Sequence, residues 1–435
     1  MYATLRGHKV PVRSIDFSST GHEIASGDDD GRVNLWSTSL RRSFASWKPH
    51  ENAILKVRFW GDDKLITHAR DNKLKIWEVP KSKVPAENQS QARSDFEPVM
   101  VYEQDVNALN FCGFAISGKE LPCYLALPAT TDSEKIDVYH LDLGFKLSRP
   151  FKGIKWDENV VPYVDAYKGK GKHTPDKVKP DTKSKSKSNK QDLVDAITEV
   201  KNQMQDKKDQ KDQKDKTSEP STSGFDDFPD LDDLLPENDL DNRNGSVMTL
   251  EFTNYGLVAG YESGMIVIYK DGSPPVGIRA HRSTILSMVC QDEYIYSTGA
   301  DKRTAVSNAE TGQTETINRL KGRAGSLDIS LDTNNSQKHR TLAVLACWDN
   351  VLRVFEATGS DKDKNKDKNK NKSTFEEYAE FKLEATVCKI GNIEPISNQL
   401  RKTPSVLVAA GTKTGQIMLY APDSLTTSKL LHHVT

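Results

Sequence analysis

The fold is decided by residues 7–36, which read GHKVPVRSIDFSSTGHEIASGDDDGRVNLW. A Gly-His pair opens this stretch, and apolar residues then alternate with polar ones from Val12 to Phe17. A second apolar run ends at Ser26-Gly27, an Asp-Gly turn follows at Asp30-Gly31, and a third run ends at Trp36. Apolar alternation that is interrupted by turn residues is typical of short β-strands. The stretch therefore predicts three short strands in one small sheet.

The pattern resembles a WD40 repeat, which forms one four-stranded blade of a β-propeller. The resemblance implies that four side chains form one buried chain of hydrogen bonds, namely His8, Ser26, Asp30 and Trp36. An imidazole, a hydroxyl, a carboxylate and an indole suit this role because each can satisfy its neighbour away from water. His, Ser and Asp are also the residue types of a hydrolase triad, but this spacing favours the structural role.

A second unit repeats the spacing of the first. The step from Thr67 to Asp71 equals that from Ser26 to Asp30, and Trp77 follows Asp71 as Trp36 follows Asp30. The second set of four, which we call a tetrad like the first, is His50, Thr67, Asp71 and Trp77. A later unit keeps three members and lacks the indole: His281, Ser297 and Asp301. Repetition at a fixed spacing indicates an array of similar blades.

The five units other than the first two, including this later one, are weaker and are identified mainly by strand periodicity. Without two insertions about 320 residues remain, which is roughly 45 for each of seven blades and agrees with the usual length of the repeat. We therefore predict an all-β fold, a seven-bladed WD40 β-propeller with disordered charged insertions. The predicted blades span approximately 1–47, 48–105, 106–150, 245–279, 280–323, 324–384 and 385–424.

Two segments interrupt the repeats. Residues 148–244 form a charged insertion that is lysine-rich first and acidic-apolar at its end, and residues 361–374 form a low-complexity loop. Both contain too few apolar residues to build a core, so we predict that both are disordered. The acidic end of the larger insertion is a candidate docking motif because its apolar residues suit a groove on a protein partner. These residues are Phe225, Phe228, Leu231, Leu234 and Leu235.

A second candidate for partner binding is Trp348, which stands just before the turn residue Asp349, as Asp29 and Arg70 do in the first two blades. The resemblance to WD40 repeats implies that such turns lie on one rim of the ring. An exposed indole there would be a natural hot spot for binding. The alternative is that Trp348 packs beneath a neighbouring loop.

The strand that closes the ring has two candidates. The first is Tyr2 to Leu5, which would form the outer strand of the last blade, and the second is Leu425 to Leu431.

Composition excludes several classes of function. The chain has a net charge of −1, 36% apolar and 28% charged residues, and no apolar run long enough to cross a bilayer. We expect a soluble intracellular protein without membrane contact. The Asp28-Asp29-Asp30-Gly31 cluster lacks the ligand spacing of a calcium loop, and the five cysteines lack that of a metal site.

Catalytic and cofactor motifs are also missing from the sequence. No glycine-rich phosphate loop or nucleophile motif occurs, so we expect neither an enzyme nor a cofactor. The lysine runs lack interleaved aromatic residues, so we expect no direct sequence-specific binding of nucleic acid.

The whole chain resembles the ASTRA-associated protein 1 family, a fungal family of WD-repeat proteins. The resemblance rests on the start Leu5-Arg6-Gly7-His8, the two good blades, the long insertion before Val247 to Phe252, and the close from Gly411 to Tyr420. It implies a nuclear, non-catalytic scaffold subunit that acts in chromatin remodelling or in the maturation of phosphatidylinositol-kinase-like kinases. The implied partners are the ASTRA subunits, namely a pseudokinase, RuvB-like ATPases, and the Tel and Tti proteins.

Two alternative functions share the same fold. One is a signalling subunit like the β subunit of heterotrimeric G proteins, although no helix of the kind expected there fits before Gly7. The other is a substrate adaptor of a ubiquitin ligase, which usually carries an additional recruitment domain.

Overall fold

The computed structural model describes residues 2–79, 98–107, 111–130, 132–142, 147–154, 164–165, 245–270, 274–332, 340–358, 374–394 and 404–421. The chain divides into two units, of which the first comprises Met1–Tyr167 with Asp239–Thr435 and the second Lys168–Asn238. The second unit, including the predicted docking motif at Phe225 to Leu235, lies outside the described residues.

The described part of the first unit folds into seven small β-sheets without a helix, and each sheet is one blade of a β-propeller. The predicted all-β fold with seven blades is therefore confirmed. No helix in the described ranges is long and apolar enough to span a membrane.

The strands follow one another in chain order. Strand β1 (Ala3–Arg6) precedes the first blade, which comprises β2 (Val12–Phe17), β3 (Glu23–Asp28), β4 (Val33–Ser37) and β5 (Arg42–Trp47). The second blade comprises β6 (Ile54–Trp60), β7 (Lys64–Ala69), β8 (Lys73–Glu78) and β9 (Val99–Asp105). The third comprises β10 (Ala115–Ile116), β11 (Cys123–Pro128), β12 (Ile136–Leu141) and β13 (Leu147–Ile154).

The remaining blades follow the same plan. The fourth comprises β14 (Val164–Asp165), β15 (Val247–Thr253), β16 (Gly256–Tyr261), β17 (Met265–Tyr269) and β18 (Val276–Arg279). The fifth comprises β19 (Ile285–Gln291), β20 (Tyr294–Gly299), β21 (Arg303–Asn308) and β22 (Thr314–Arg319). The sixth comprises β23 (Ala324–Asp332), β24 (Arg340–Cys347), β25 (Val351–Thr358) and β26 (Thr374–Lys382). The seventh comprises β27 (Ala385–Asn392), β28 (Val406–Thr412) and β29 (Gln416–Tyr420), with β1 as its outer strand.

Two strands, β13 and β14, lie at the start of the predicted insertion 148–244. Strand β13 pairs with β12 as the outer strand of the third blade. Strand β14 pairs in parallel with β18 and adds a fifth strand to the fourth blade. Both segments satisfy backbone groups at the open edge of a sheet, a source of order that apolar composition does not report.

The core lies in seven seams, one between each pair of neighbouring blades. Adjacent residues of a central strand serve different seams, because side chains alternate between the two faces of a sheet. In β4, for example, Trp36 packs toward the seventh blade and Leu35 toward the second. Central strands are therefore apolar on both faces, which explains continuous runs such as Leu342 to Cys347 in β24.

The chain start closes the ring. Strand β1 pairs antiparallel with β29, and Leu5, which lies opposite Ile417, is 1% exposed in the seam between the seventh and first blades. The expectation that Tyr2 to Leu5 supplies the outer strand of the last blade is thus confirmed. The other candidate, Leu425 to Leu431, lies outside the described residues.

A β-bulge opens the innermost strand of every blade except the third. In the same six blades, one residue in the turn between the second and third strands donates its backbone N–H to the loop that precedes the bulge. We call this residue the rim residue and the end of the ring on which it lies the turn face. The rim residues are Asp29, Arg70, Glu262, Ala300, Trp348 and Lys413. The predicted equivalence of Trp348 with Asp29 and Arg70 is confirmed.

Candidate functional site

The tetrad of the second blade joins the loop before the blade to its two central strands. Nδ1 of His50 lies 3.0 Å from both carboxylate oxygens of Asp71, and Nε2 lies 2.7 Å from Oγ1 of Thr67. Nε1 of Trp77 donates to the same hydroxyl over 3.0 Å. Because a carboxylate only accepts, the proton of the imidazole lies on Nδ1, and the Thr67 hydroxyl donates to Nε2. The structure brings together all four side chains predicted for this tetrad.

Burial determines the charge state of this imidazole. It lowers the pKa of His50 below its ordinary value, although the carboxylate of Asp71 acts in the opposite direction. A neutral imidazole with one donor and one acceptor fits a chain in which each group bonds the next. The tetrad is therefore a structural tie.

The first blade forms the same chain with a different carboxylate. Nδ1 of His8 lies 2.7 Å from Oδ2 of Asp28, Nε2 lies 2.6 Å from Oγ of Ser26, and Nε1 of Trp36 donates to that hydroxyl over 2.7 Å. The prediction that Asp30 is the carboxylate is wrong, since Asp30 is exposed in the turn. Asp28 lies on β3 two residues after Ser26, so its side chain leaves the strand on the same face.

The remaining oxygen of Asp28 orders the turn itself. Oδ1 accepts the backbone N–H groups of Asp30 and Arg32 over 3.0 and 2.9 Å. One buried carboxylate thus bonds the imidazole and shapes the turn that follows the strand, which is a common use of aspartate.

The fifth blade takes its carboxylate from the turn. Nδ1 of His281 lies 3.0 Å from Oδ1 of Asp301, and Nε2 lies 2.9 Å from Oγ of Ser297. A Cβ atom at Gly299 would come within 2.5 Å of Oδ1 of Asp301, so the missing side chain leaves room for this carboxylate. Burial alone disfavours ionisation, but hydrogen bonds from His281 and from the backbone of Arg282 and Arg303 hold the pKa of Asp301 below its usual value.

The sixth blade replaces the tetrad with an ion network that the sequence analysis missed. The guanidinium of Arg353 donates to both carboxylate oxygens of Asp349, over 3.1 and 2.7 Å, and to Oε1 of Glu380 over 3.0 Å. Its side chain is only 5% exposed. An arginine within the apolar run Val351 to Phe355 is the signal that could have indicated this network, because a buried guanidinium requires partners.

Two Ser-x-Asp pairs on innermost strands tie neighbouring blades together. Ser14 and Asp16 of β2 accept the backbone N–H groups of Val57 and Phe59 in the second blade, over 2.9 and 2.8 Å. In the sixth blade, Ser326 and Asp328 of β23 accept those of Cys388 and Ile390 in the seventh, over 3.2 and 2.7 Å.

These inter-blade hydrogen bonds were not predicted from the sequence. Their signal is a serine and an aspartate two positions apart within an innermost strand, which places both side chains on one face.

Trp348, the predicted partner-binding residue, is 58% exposed on the turn face. Its indole lies against Gly325 of the bulge in its own blade, where a Cβ atom would come within 2.3 Å of Nε1. The alternative that Trp348 packs beneath a neighbouring loop is therefore wrong. Its binding role stays a prediction.

A second exposed aromatic ring lies on the turn face of the second and third blades. Phe111, in the loop between β9 and β10, is 69% exposed, and the guanidinium carbon of the rim residue Arg70 lies 4.6 Å from its ring centroid. The distance is that of a cation–π contact. The sequence offered no sign of it, since the two residues are far apart along the chain.

Comparison with known sequences finds several relatives that are named ASTRA-associated protein 1. The family model described as ASA1, ASTRA-associated protein 1, matches residues 1–191. An ASTRA-associated protein 1 from Verticillium alfalfae is 40% identical over 152 residues, which is 32% of this chain and 37% of that protein. Another, from Komagataella phaffii, is 23% identical over 397 residues, which is 81% of this chain and 72% of that protein.

The matches differ in the share of each relative that they cover. The matched region spans only about a third of the length of the Verticillium protein and of a Pyricularia oryzae relative that is 32% identical. Among solved structures, the computationally designed Ika8 protein aligns with 97% of this chain at 13% identity and a TM-score of 0.46. The sequence comparisons confirm that the chain resembles ASTRA-associated protein 1.

Proposed function

We propose that this chain is a non-catalytic WD40 scaffold subunit of a nuclear assembly like ASTRA. The observation that carries the proposal is the family match over residues 1–191, which includes the first three blades and both complete tetrads. The buried histidines support a structural role, because the side chains of His8, His50 and His281 are each 0% exposed and bonded to a carboxylate. A general base must reach its substrate, and these imidazoles do not.

The proposed partners are those that the resemblance implies: a pseudokinase, RuvB-like ATPases, and the Tel and Tti proteins. The chain would hold such partners in chromatin remodelling or in the maturation of phosphatidylinositol-kinase-like kinases. A propeller suits this task because its rigid ring presents many loops on one face. Trp348 is our candidate anchor on that face, since a large exposed indole buries much area on binding.

Affinity purification tests the proposal. The tagged full-length chain is recovered from its native cells, and the associated proteins are identified by mass spectrometry. We expect the pseudokinase and the RuvB-like ATPases, together with a nuclear signal when the tagged chain is imaged. Recovery of a cullin, or of a G-protein γ subunit, in their place would contradict the proposal. Trp36→Ala is the control for binding that depends on the folded propeller. It removes a 1%-exposed indole from the core and should lose every partner.

A further inference from the structure

Arg70 presents its guanidinium on the turn face. The side chain is exposed and stacks on Phe111, and its backbone N–H bonds the carbonyl of Ala53. Within the described ranges, no carboxylate pairs with it. At the equivalent rim position of the first blade, Asp29 is already paired with Arg13, whose Nη2 lies 2.7 Å from Oδ2. The second blade therefore offers a cation where the first blade offers a neutralised pair.

A second cation borders the same loop. Lys56, on the innermost strand β6, donates through Nζ to the carbonyl of Phe114 over 2.9 Å, and Nζ lies 5.5 Å from that phenyl centroid. The carboxylate of Glu251 pairs with Arg58 and not with Lys56, since Nη1 of Arg58 lies 3.3 Å from Oε1 of Glu251. Lys56 makes no ion pair in the part of the chain that the structure describes. Two cations, each stacked on an aromatic ring, thus flank the segment from Phe111 to Phe114.

The chemistry of these four side chains defines what they can bind. A guanidinium presents a planar fork of donors that matches a carboxylate, and stacking on Phe111 fixes the plane of that fork before binding. Prior ordering reduces the entropy that binding must overcome. Phe111, at 69% exposure, offers apolar area beside the charge. An acidic segment that also carries apolar side chains would cover both features.

We propose that Arg70, Phe111 and Lys56 form a docking site for an acidic-apolar segment of a protein partner. A carboxylate of the segment pairs with Arg70, a neighbouring apolar side chain covers Phe111, and Lys56 adds positive potential behind them. This inference rests on the proposed scaffold role only in taking the partner to be a protein.

Peptide titration of the purified full-length chain tests the site. The probe is a fluorescein-labelled peptide of repeated Asp-Asp-Leu units, and binding is followed by fluorescence anisotropy at low and at physiological salt. We expect Arg70→Glu to weaken binding at least about tenfold and Phe111→Ala to weaken it several-fold. Lys9→Glu, an exposed lysine in the loop before the first blade, is the matched control and should stay within about twofold of the wild type.

Three outcomes would overturn the inference: no binding to the wild-type chain, equal binding of a peptide with Asn in place of Asp, or unchanged binding by Arg70→Glu. Binding of a phosphoserine peptide alone would also overturn it, because the proposed ligand is a carboxylate. If Arg70→Glu lowers the melting temperature, Arg70→Gln replaces it as the test variant in the titration. Since the titration does not use the assembly, its failure is distinct from a failure to recover ASTRA subunits.

Discussion

The imidazole of His8 bonds Asp28, at 2.7 Å, and leaves Asp30 exposed in the turn. In the second blade the equivalent imidazole, that of His50, bonds a carboxylate from the turn, Asp71, at 3.0 Å. A carboxylate from the strand and one from the turn can therefore fill the same place. What the buried chain requires is an acceptor at Nδ1, wherever along the sequence that acceptor originates.

The two aspartates of the first blade should differ sharply in their effect on stability. Asp28→Ala leaves the buried N–H of His8 without an acceptor, so we expect a loss of about 2–3 kcal/mol in the free energy of unfolding. Asp30→Ala alters an exposed side chain and should cost less than about 0.5 kcal/mol. Urea denaturation of both variants measures the difference. A larger loss for Asp30→Ala would reverse the assignment.

His68 should make the stability of the propeller depend on pH. Its side chain is 0% exposed, and burial lowers its pKa to about 3. In the unfolded chain an imidazole takes up a proton below about pH 6.5, whereas His68 in the folded chain stays neutral, so stability falls as the pH falls from 6.5 toward 3. The slope contributed by this one group is at most about 1.4 kcal/mol per pH unit.

His68→Phe removes that contribution and should flatten the pH dependence. Denaturant midpoints between pH 8 and pH 5 measure it, and the value at pH 8 isolates any change in packing against Phe114, whose ring centroid lies 6.4 Å from that of His68. Identical slopes for the variant and the wild type would show that His68 does not carry the effect.

Closure of the ring by β1 predicts a large effect at Leu5. Leu5→Ala removes a 1%-exposed side chain from the seam between the seventh and first blades and should cost about 2–5 kcal/mol. Arg6→Ala, at the exposed next position of the same strand, is the matched control and should be nearly neutral. Thermal denaturation compares them. If Leu5→Ala melts like the wild type, β1 does not hold the ring closed.

Trp348 should affect assembly without affecting folding. Because the indole is 58% exposed, Trp348→Ala should change the free energy of unfolding by less than about 1 kcal/mol, while recovery of the assembly falls by about tenfold. Tyr294→Ala, which alters a 40%-exposed aromatic ring at the other end of its blade, should leave recovery unchanged. Quantitative mass spectrometry of the purified assemblies measures both. A destabilised Trp348→Ala variant, or one with normal recovery, would remove Trp348 from the binding surface.

The sequence by itself determined the repeated blade. Strand alternation and the steps between Thr67, Asp71 and Trp77 are local properties, and a blade is a local unit whose strands follow one another in the chain. The same locality made the tetrad of the second blade and the three-membered set of the fifth predictable, because a turn aspartate four residues after a strand hydroxyl reaches the imidazole that enters from the preceding loop.

Only the tertiary structure decided the contacts that join distant parts of the chain. Three aspartates stood in a row at 28–30, and the choice of Asp28 depends on which side of β3 faces His8. The guanidinium of Arg353 contacts Glu380 on the far side of the 361–374 insertion, and that of Arg70 contacts Phe111 in the loop that leads to the third blade. These side chains have no fixed offset along the sequence, since the intervening segments can vary in length without moving the strands. The backbone must bring the blades together before such pairs exist.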